Sequence, residues 1–304
     1  MKLVLTGGTG FIGRALTQAL LQEKYDLTVL TRQNLKTETP GDKPFYLHWD
    51  PNEKGIWEKA VQCADGVINL AGEPVSARWT PQRKSEIMAS RIETTKAIVC
   101  AIEKNGGTPK ILINASAVGY YGNRGDAPLT ENAPPGTGFL AEVCKAWEAQ
   151  AFEAQKSGNR VVIMRFGVVL EKNGGMLKRM LPPFRAGLGG PLGTGQQWIS
   201  WIHRLDLIGL ILFALKNSLL RGAINATAPF PVTMKEFSKT LGKVLRRPTL
   251  LNLPPALLKL TLGEMAEMLL SSQKALPQKV QKSGYPFIFP SLRQALENCL
   301  TEKG

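Results

Sequence analysis

The sequence predicts an α/β fold, a doubly wound parallel sheet with a smaller C-terminal domain, and three observations predict it. A glycine-rich loop, GGTGFIG (7–13), joins an apolar run to a helical pattern. Strand and helix patterns then alternate through the first half of the chain. Beyond about residue 171 this gives way to a Gly/Pro-rich stretch and then to apolar helices. Parallel strands need crossover connections, so alternation of this kind places helices on both faces of the sheet.

The first element is Leu3-Val4-Leu5, a buried-strand pattern, and after Gly13 the apolar Ala15, Leu16, Ala19 and Leu20 recur at helical spacing. A strand–loop–helix unit aims the free N–H groups and positive dipole end of the helix at the loop, which makes an anion site. Gly8, Gly10 and Gly13 satisfy G-x-G-x-x-G, and Gly7, Gly10 and Gly13 the related G-x-x-G-x-x-G. Four glycines in seven positions predict that something bulky approaches the backbone closely. The expected ligand is a dinucleotide, met by Gly7, Thr9, Gly10, Phe11, Ile12 and Gly13. No Lys-Ser/Thr pair follows, which argues against a nucleotide-hydrolysing loop.

Strand patterns follow at 27–32, 66–72, 110–119 and 160–170, with helical stretches at 81–104 and 139–157. The second strand ends Leu30-Thr31-Arg32. A carboxylate there would bind the adenosine ribose of NAD. Arg32 instead suits the 2′-phosphate of NADP through charge-assisted bonds, with Thr31 adding a hydroxyl and Lys36 in reach if its loop folds back. The expected cofactor is therefore NADP(H), with Leu70, Ala71 and Gly72 of NLAG (69–72) lying against it. Residues 171–197 read as a long irregular excursion, 203–217 as helix, 222–227 as one more strand, and 233–248 as an amphipathic helix N-capped by Thr233. The expected division is a dinucleotide-binding domain at 1–170, completed by about 203–227, and a second domain at 171–304.

A net charge of +14 invites a nucleic-acid reading, but the basic residues are scattered and no run of them alternates with aromatics. Attraction for a phosphorylated cofactor or an acidic substrate accounts for the charge. The longest apolar run, LIGLILFAL (207–215), falls well short of the roughly 20 residues of a membrane span. Cys63, Cys100, Cys144 and Cys299 show no CxxC and read as thiols of a reducing compartment. Nothing has metal-ligand spacing. The first strand starts within three residues of Met1, which leaves no room for a targeting peptide. The expectation is a soluble, cytoplasmic protein whose partner is a small molecule rather than nucleic acid or membrane, with a homodimer left open.

TGGTGFIG, NLAG, the strand ending in Ser116 and WIH..D (201–206) resemble the extended short-chain dehydrogenase/reductases. SRIETT (90–95), SAVGYYG (116–122), KAWEAQA (145–151) and FRAGLGGPLGTGQQWISWIH (184–203) resemble one atypical branch, the 39U-type epimerase family. Residues 263–296 are similar to that branch's terminal domain of unknown function, placed here at 250–298. The resemblance spans nearly the whole chain. It implies a Rossmann domain binding NADP, a smaller C-terminal domain over the substrate cleft, and epimerase or oxidoreductase chemistry on an unidentified small molecule.

In the wider superfamily a tyrosinate moves the proton, a lysine lowers its pKa and holds the nicotinamide ribose, and a serine orients the substrate oxygen. By this resemblance Ser116 is the serine and Lys145 the lysine. Four residues before Lys145, where a tyrosine would share the helix face, stands Ala141, which cannot transfer a proton. Tyr120 and Tyr121 follow Ser116; one of them can substitute as the acid, or both can serve packing or ligand stacking. The resemblance also brings Glu86 and Arg91 to the cofactor and turns Arg165 toward its nicotinamide half. His203 and Asp206 are expected to fix the irregular segment. The missing tyrosine keeps two further readings open: a catalytically weak NADPH-binding redox sensor, and a regulatory adaptor linked to cell division.

Overall fold

The computed structural model describes residues 1–33, 44–104 and 110–301. Its centre is a sheet of seven strands: β1 (Lys2–Thr6), β2 (Asp26–Thr31), β3 (Phe45–His48), β4 (Gly66–Asn69), β5 (Ile111–Ala117), β6 (Arg160–Phe166) and β7 (Gly222–Ala226). Their spatial order is β7-β6-β5-β4-β1-β2-β3, with every neighbouring pair parallel. The order reverses between β1 and β4, the switch point where such sheets open a crevice at the strand ends. Thr6 lies level with Leu30 on β2 and with Asn69 on β4, so the three loops that follow share one edge. These strands are buried on both faces, as the unbroken apolar runs Leu3–Leu5 and Val161–Met164 require.

On one face α1 (Phe11–Gln22) and α6 (Arg204–Lys216) pack Leu16, Leu20, Leu207 and Ile211 against the sheet. On the other, α2 (Ile56–Cys63), α3 (Pro81–Glu103) and α4 (Phe139–Phe152) contribute Trp57, Ile98, Ile102 and Ala151. β3 and α2 were not foreseen. A four-residue edge strand with exposed ends carries too little apolar pattern to stand out.

The excursion at 171–197 is not wholly irregular. Gly175–Arg185 form α5, burying Leu177, Met180, Leu181 and Phe184 at helical spacing. Pro182 and Pro183 stand in its last turn and obscured the pattern; the chain closes beyond them through Ala186 N–H to Pro182 O and Leu188 N–H to Pro183 O. α5 shares a core with α7 (Met234–Leu245), whose N-cap Thr233 accepts from Glu236 N–H at 3.2 Å. The short helices α8 (Pro255–Leu262), α9 (Ala266–Leu270) and α10 (Gln278–Lys282) follow, and α11 (Leu292–Thr301) packs on α7.

The C-terminal region is stitched back to the sheet. Lys274–Ala275 pair with Pro128–Leu129. The Asp206 carboxylate accepts from the N–H groups of Ile288 and Phe289 at 2.7 and 2.9 Å, and Tyr285 donates to the Asp206 carbonyl at 2.9 Å. His203 caps α6, accepting from Leu205 N–H at 3.2 Å, and its ring lies 4.1 Å from that of Phe289. Burial, helped by Arg204, presses its pKa down to about 4, so the imidazole is neutral. These two residues thus hold the 285–289 segment rather than the excursion at 171–203. No helix among the described residues is long and apolar enough to cross a membrane.

Candidate nucleotide site and cleft

The glycine loop divides into two roles. Gly7 is left-handed at φ +71°, and a Cβ there would lie 2.8 Å from the Leu70 carbonyl carbon. A Cβ on Gly8 would meet Val29 Cγ1 at 2.7 Å, and one on Gly13 would meet Gly7 O at 2.1 Å. The protein's own packing therefore demands three of the four glycines, which corrects the expectation that ligand approach explains them all. Gly10 differs: its Cβ would meet only Gly7 O, at 3.2 Å, and open space beyond. It starts α1 with no side-chain cap, so the first-turn N–H groups face the cleft that Thr9, Gly10 and Phe11 line.

Leu70, Ala71 and Gly72 follow β4, with the Leu70 and Ala71 backbone lying against Gly7. Asn69 anchors them, its Oδ1 accepting from Thr6 Oγ1 at 2.6 Å and from Ala71 N–H at 3.3 Å. Its amide donates to Thr95 and Asn114 at 2.9 and 2.7 Å, and Trp147 donates to Thr95 at 2.9 Å. A buried network this well paired makes a rigid floor. Arg91 crosses beside Gly72, stacked over Trp147 at 5.0 Å and donating once, to Ile87 O at 3.0 Å. Burial draws its pKa down, and no carboxylate pairs with it among the described residues. Its remaining donors are available to an anion or a hydroxyl. Ile12 and Gly13 fall in the same first turn of α1.

At the end of β2, Arg32 is 76% exposed and donates to Glu73 at 3.0 Å. Glu73 also takes Arg83 at 3.3 Å; Arg32 first, with Arg83, holds its carboxyl below the usual range although burial opposes them. Sequence reading missed Glu73, although it directly follows NLAG: the acidic residue of this corner sits on the β4 loop, not on β2. Thr31 is turned inward, its hydroxyl accepting from Gln33 N–H at 3.1 Å. Glu86 faces its own helix, accepting from Arg83 at 2.8 Å and Gln82 at 3.1 Å. Lys36 lies outside the described residues.

The residues assigned to chemistry separate. In register, Ser116 on β5 stands beside Arg165 on β6, and α4 covers that face with Glu148. Ser116 donates to Glu148 at 2.6 Å, and Arg165 grips the same carboxylate through Nε at 2.9 Å and Nη2 at 2.8 Å. Arg165 also donates to the Tyr121 hydroxyl at 2.9 Å and lies 3.5 Å from the Tyr120 ring centre. Burial opposes its charge, yet Glu148 and Tyr121 raise its pKa above the ordinary value. The Arg165 guanidinium is thus engaged within the core by Glu148, Tyr121 and the Glu131 carbonyl. Tyr121 is fully buried, 2.7 Å from Asn225 Oδ1, and burial pushes its phenol up to about 12. It is a structural residue, with no route to a ligand.

Lys145 is exposed on α4. The α4 residues beside the 118–121 turn are Leu140 and Cys144. The Cys144 thiol lies beside Gly119, and burial pushes its pKa up to about 11. Leu140, Cys144 and Glu148 share a helix stripe that also leaves Ala141 buried, so α4 presents no acid–base pair to this turn. Tyr120 is half-buried, with no hydrogen bond from its hydroxyl among the described residues. The cleft itself, about 1530 Å³, runs from the glycine loop along α5 to α8 and α9 and is not lined by Ser116, Tyr120, Tyr121 or Lys145. No cluster of metal-ligating side chains exists among the described residues.

Comparison with known proteins agrees with this architecture. Residues 3–226 match the NAD dependent epimerase/dehydratase family, and residues 253–299 match a domain of unknown function, DUF1731. The chloroplastic SDR39U1 homologue of Arabidopsis thaliana, an epimerase family protein, is 44% identical over 298 residues, 97% of this chain and 86% of its own length. The crystal structure of human epimerase family protein SDR39U1 (isoform 2) with NADPH is 34% identical, with a TM-score of 0.86 over 99% of this chain and 100% of that one. A nucleoside-diphosphate sugar epimerase from Corynebacterium glutamicum is 32% identical with a TM-score of 0.79; the match covers 99% of this chain and 58% of that one. By sequence, strand order and glycine loop, the chain belongs to the NAD dependent epimerase/dehydratase family, in the branch of the SDR39U1-type epimerase family proteins.

Proposed function

We propose that this chain binds NADP(H) across the β1/β4 switch point and uses it in oxidoreductase or epimerase chemistry on a small molecule. The observation that carries the reading is the uncapped N-terminus of α1 at Gly10, open to the cleft; half-buried Arg91, against Gly72, keeps donors to spare. These residues fit a dinucleotide: the α1 N–H groups suit the pyrophosphate, Arg91 a ribose or phosphate oxygen, and the Leu70–Gly72 segment a flat face. NADPH in the human relative supports the same cofactor here. When bound, the nicotinamide supplies hydride exchange with the substrate.

Arg32 decides between the two dinucleotides. Its exposed pair with Glu73 contributes only about 0–1 kcal/mol. A charge-assisted bond to phosphate is worth roughly 1.5–3 kcal/mol, so a 2′-phosphate displaces Glu73. NADPH should then bind at least about tenfold tighter than NADH, a gap of about 1.4 kcal/mol. Calorimetry on the purified protein tests this, and equal affinities overturn it.

One observation favours a second reading, the catalytically weak NADPH sensor. The α4 stripe of Leu140 and Cys144, with Ala141 beside it, offers no group that titrates near neutrality, and the Tyr121 phenol is enclosed. Tyr120 is the remaining phenol at the turn. General acid–base assistance is typically worth roughly 10²–10⁴-fold, so turnover of generic carbonyl compounds should be slow. Single-turnover NADPH oxidation by the parent and Tyr120→Phe proteins separates the readings. Turnover lost in the variant supports an enzyme using Tyr120, and no turnover in either, with tight NADPH binding, supports the sensor.

A further inference from the structure

The cavity of about 1530 Å³ exceeds the roughly 300–1,000 Å³ of a pocket for one drug-sized ligand. The proposed cofactor accounts for its glycine-loop end. The other end has a different character. There α5, the turn at 188–192, the segment 251–253 and helices α8 and α9 enclose a lobe lined by Met176, Met180, Leu253, Leu258, Leu262 and Met268. Its walls are fastened together. Leu253 N–H donates to Pro191 O at 3.1 Å and Gly193 N–H to Leu253 O at 2.9 Å. A Cβ on Gly190 would lie 1.6 Å from Leu251 O, so the two segments touch backbone to backbone.

The charges around the cavity have one sign. Among the described residues that line it there is no carboxylate. Arg204 is engaged by Glu171 at 2.9 Å. Lys178 and Arg179, on the solvent side of α5, also line the cavity, and no described carboxylate reaches either; Arg179 donates to Ser76 at 3.0 Å. A sugar or nucleobase needs hydrogen-bonding partners around its edge, and the lobe supplies little beyond Asn252. Methionine adapts to a flexible apolar chain, and this lobe has several. Leu251 (53% exposed), Leu257 (43%) and Leu260 (77%) continue the apolar surface toward solvent.

We propose that the substrate side of this cleft binds an amphipathic anion: an aliphatic or prenyl chain in the lobe between α5 and α8–α9, with a carboxylate or phosphate head at Lys178 and Arg179. The claim that this ligand is the substrate rests on the cofactor reading above; its binding does not.

The test is calorimetric titration of the intact protein, with and without saturating NADPH, using dodecanoate, dodecyl phosphate, dodecanol, octanoate and UDP-glucose below their micelle concentrations. Dodecanoate or dodecyl phosphate should bind one per chain, at least about tenfold tighter than octanoate, since each buried methylene is worth roughly fourfold. Either should also bind at least about tenfold tighter than dodecanol, which lacks the charge for Lys178 and Arg179. The tighter of the two anions identifies the head group. Arg179→Ala should bring both anions down toward dodecanol. Leu253→Glu, at a side chain 37% exposed and therefore safe for folding, should weaken every twelve-carbon ligand more than about tenfold and leave NADPH affinity unchanged. Tighter binding of UDP-glucose than of either anion overturns the proposal, as does amphiphile binding indifferent to Leu253→Glu. If the amphiphiles bind as expected and NADPH does not bind at all, the cofactor reading falls and this one stands.

Discussion

Arg32 and Tyr121 illustrate what a residue can and cannot reveal in isolation. Arg32 stands exposed at the end of β2, where the sequence places it, and among the described residues its one partner there is Glu73. Arg32→Ala should therefore remove most of the NADPH preference and leave NADH affinity nearly unchanged. Glu73→Gln should tighten NADPH a few-fold, because the phosphate no longer competes with a carboxylate; calorimetry of both variants checks the pair. Tyr121 looked like a candidate acid because it follows Ser116 in sequence, yet its hydroxyl joins Arg165 to Asn225 in the core. Tyr121→Phe should cost about 1–3 kcal/mol of stability in a urea titration, by leaving buried partners unmatched, with NADPH binding intact. Glu148→Ala should cost more, about 3–5 kcal/mol, because it strands the Arg165 charge. Neither burial is visible in a string of letters: alternation along β5 and β6 says that Ser116 and Arg165 share a face, but not that α4 closes it.

At the level of the element, the glycine loop and α1 make a sharper contrast. Gly10→Val fills the open space before the helix N-terminus, so the variant should fold normally and lose NADPH. Gly13→Ala drives a Cβ toward Gly7 O, 2.1 Å away, so it should lower the thermal midpoint by several degrees before any question of ligand arises. Differential scanning fluorimetry with and without NADPH distinguishes the two; a stable Gly13→Ala protein, or a Gly10→Val protein still stabilised by NADPH, contradicts this division of roles. The motif identified the element but not the division, because both kinds of glycine are written with the same letter. Helix α5 failed in the opposite sense: its apolar spacing was present, and two prolines in the last turn outweighed it.

On the scale of the whole molecule, the C-terminal region is held to the sheet by α6, through His203 and Asp206. The His203 imidazole is neutral in the fold, with its pKa pressed down to about 4, whereas in the unfolded chain it titrates near 6.5. Between those values the unfolded state binds the extra proton, so His203 removes stability as the pH falls from 6.5 toward 4, on the order of 3 kcal/mol in all. Asp206 acts in the other direction: burial raises its pKa, so protonation below its folded pKa favours the native state. Urea midpoints should fall between pH 6.5 and 4.5, and His203→Asn should flatten that slope; an unchanged slope would show that the acid sensitivity lies elsewhere. The sequence by itself determined the parallel α/β sheet, the glycine loop and a β2 end, Leu30-Thr31-Arg32, that lacks a carboxylate. Each is specified by local pattern, through hydrophobic period, glycine spacing and strand-end chemistry. Only the tertiary structure decided that Glu148 meets Ser116, that Arg165 and Tyr121 belong to the core, and that an apolar lobe adjoins the glycine-loop end of the cleft. Those facts depend on how a helix is rotated against a sheet, and on which distant segments close over it.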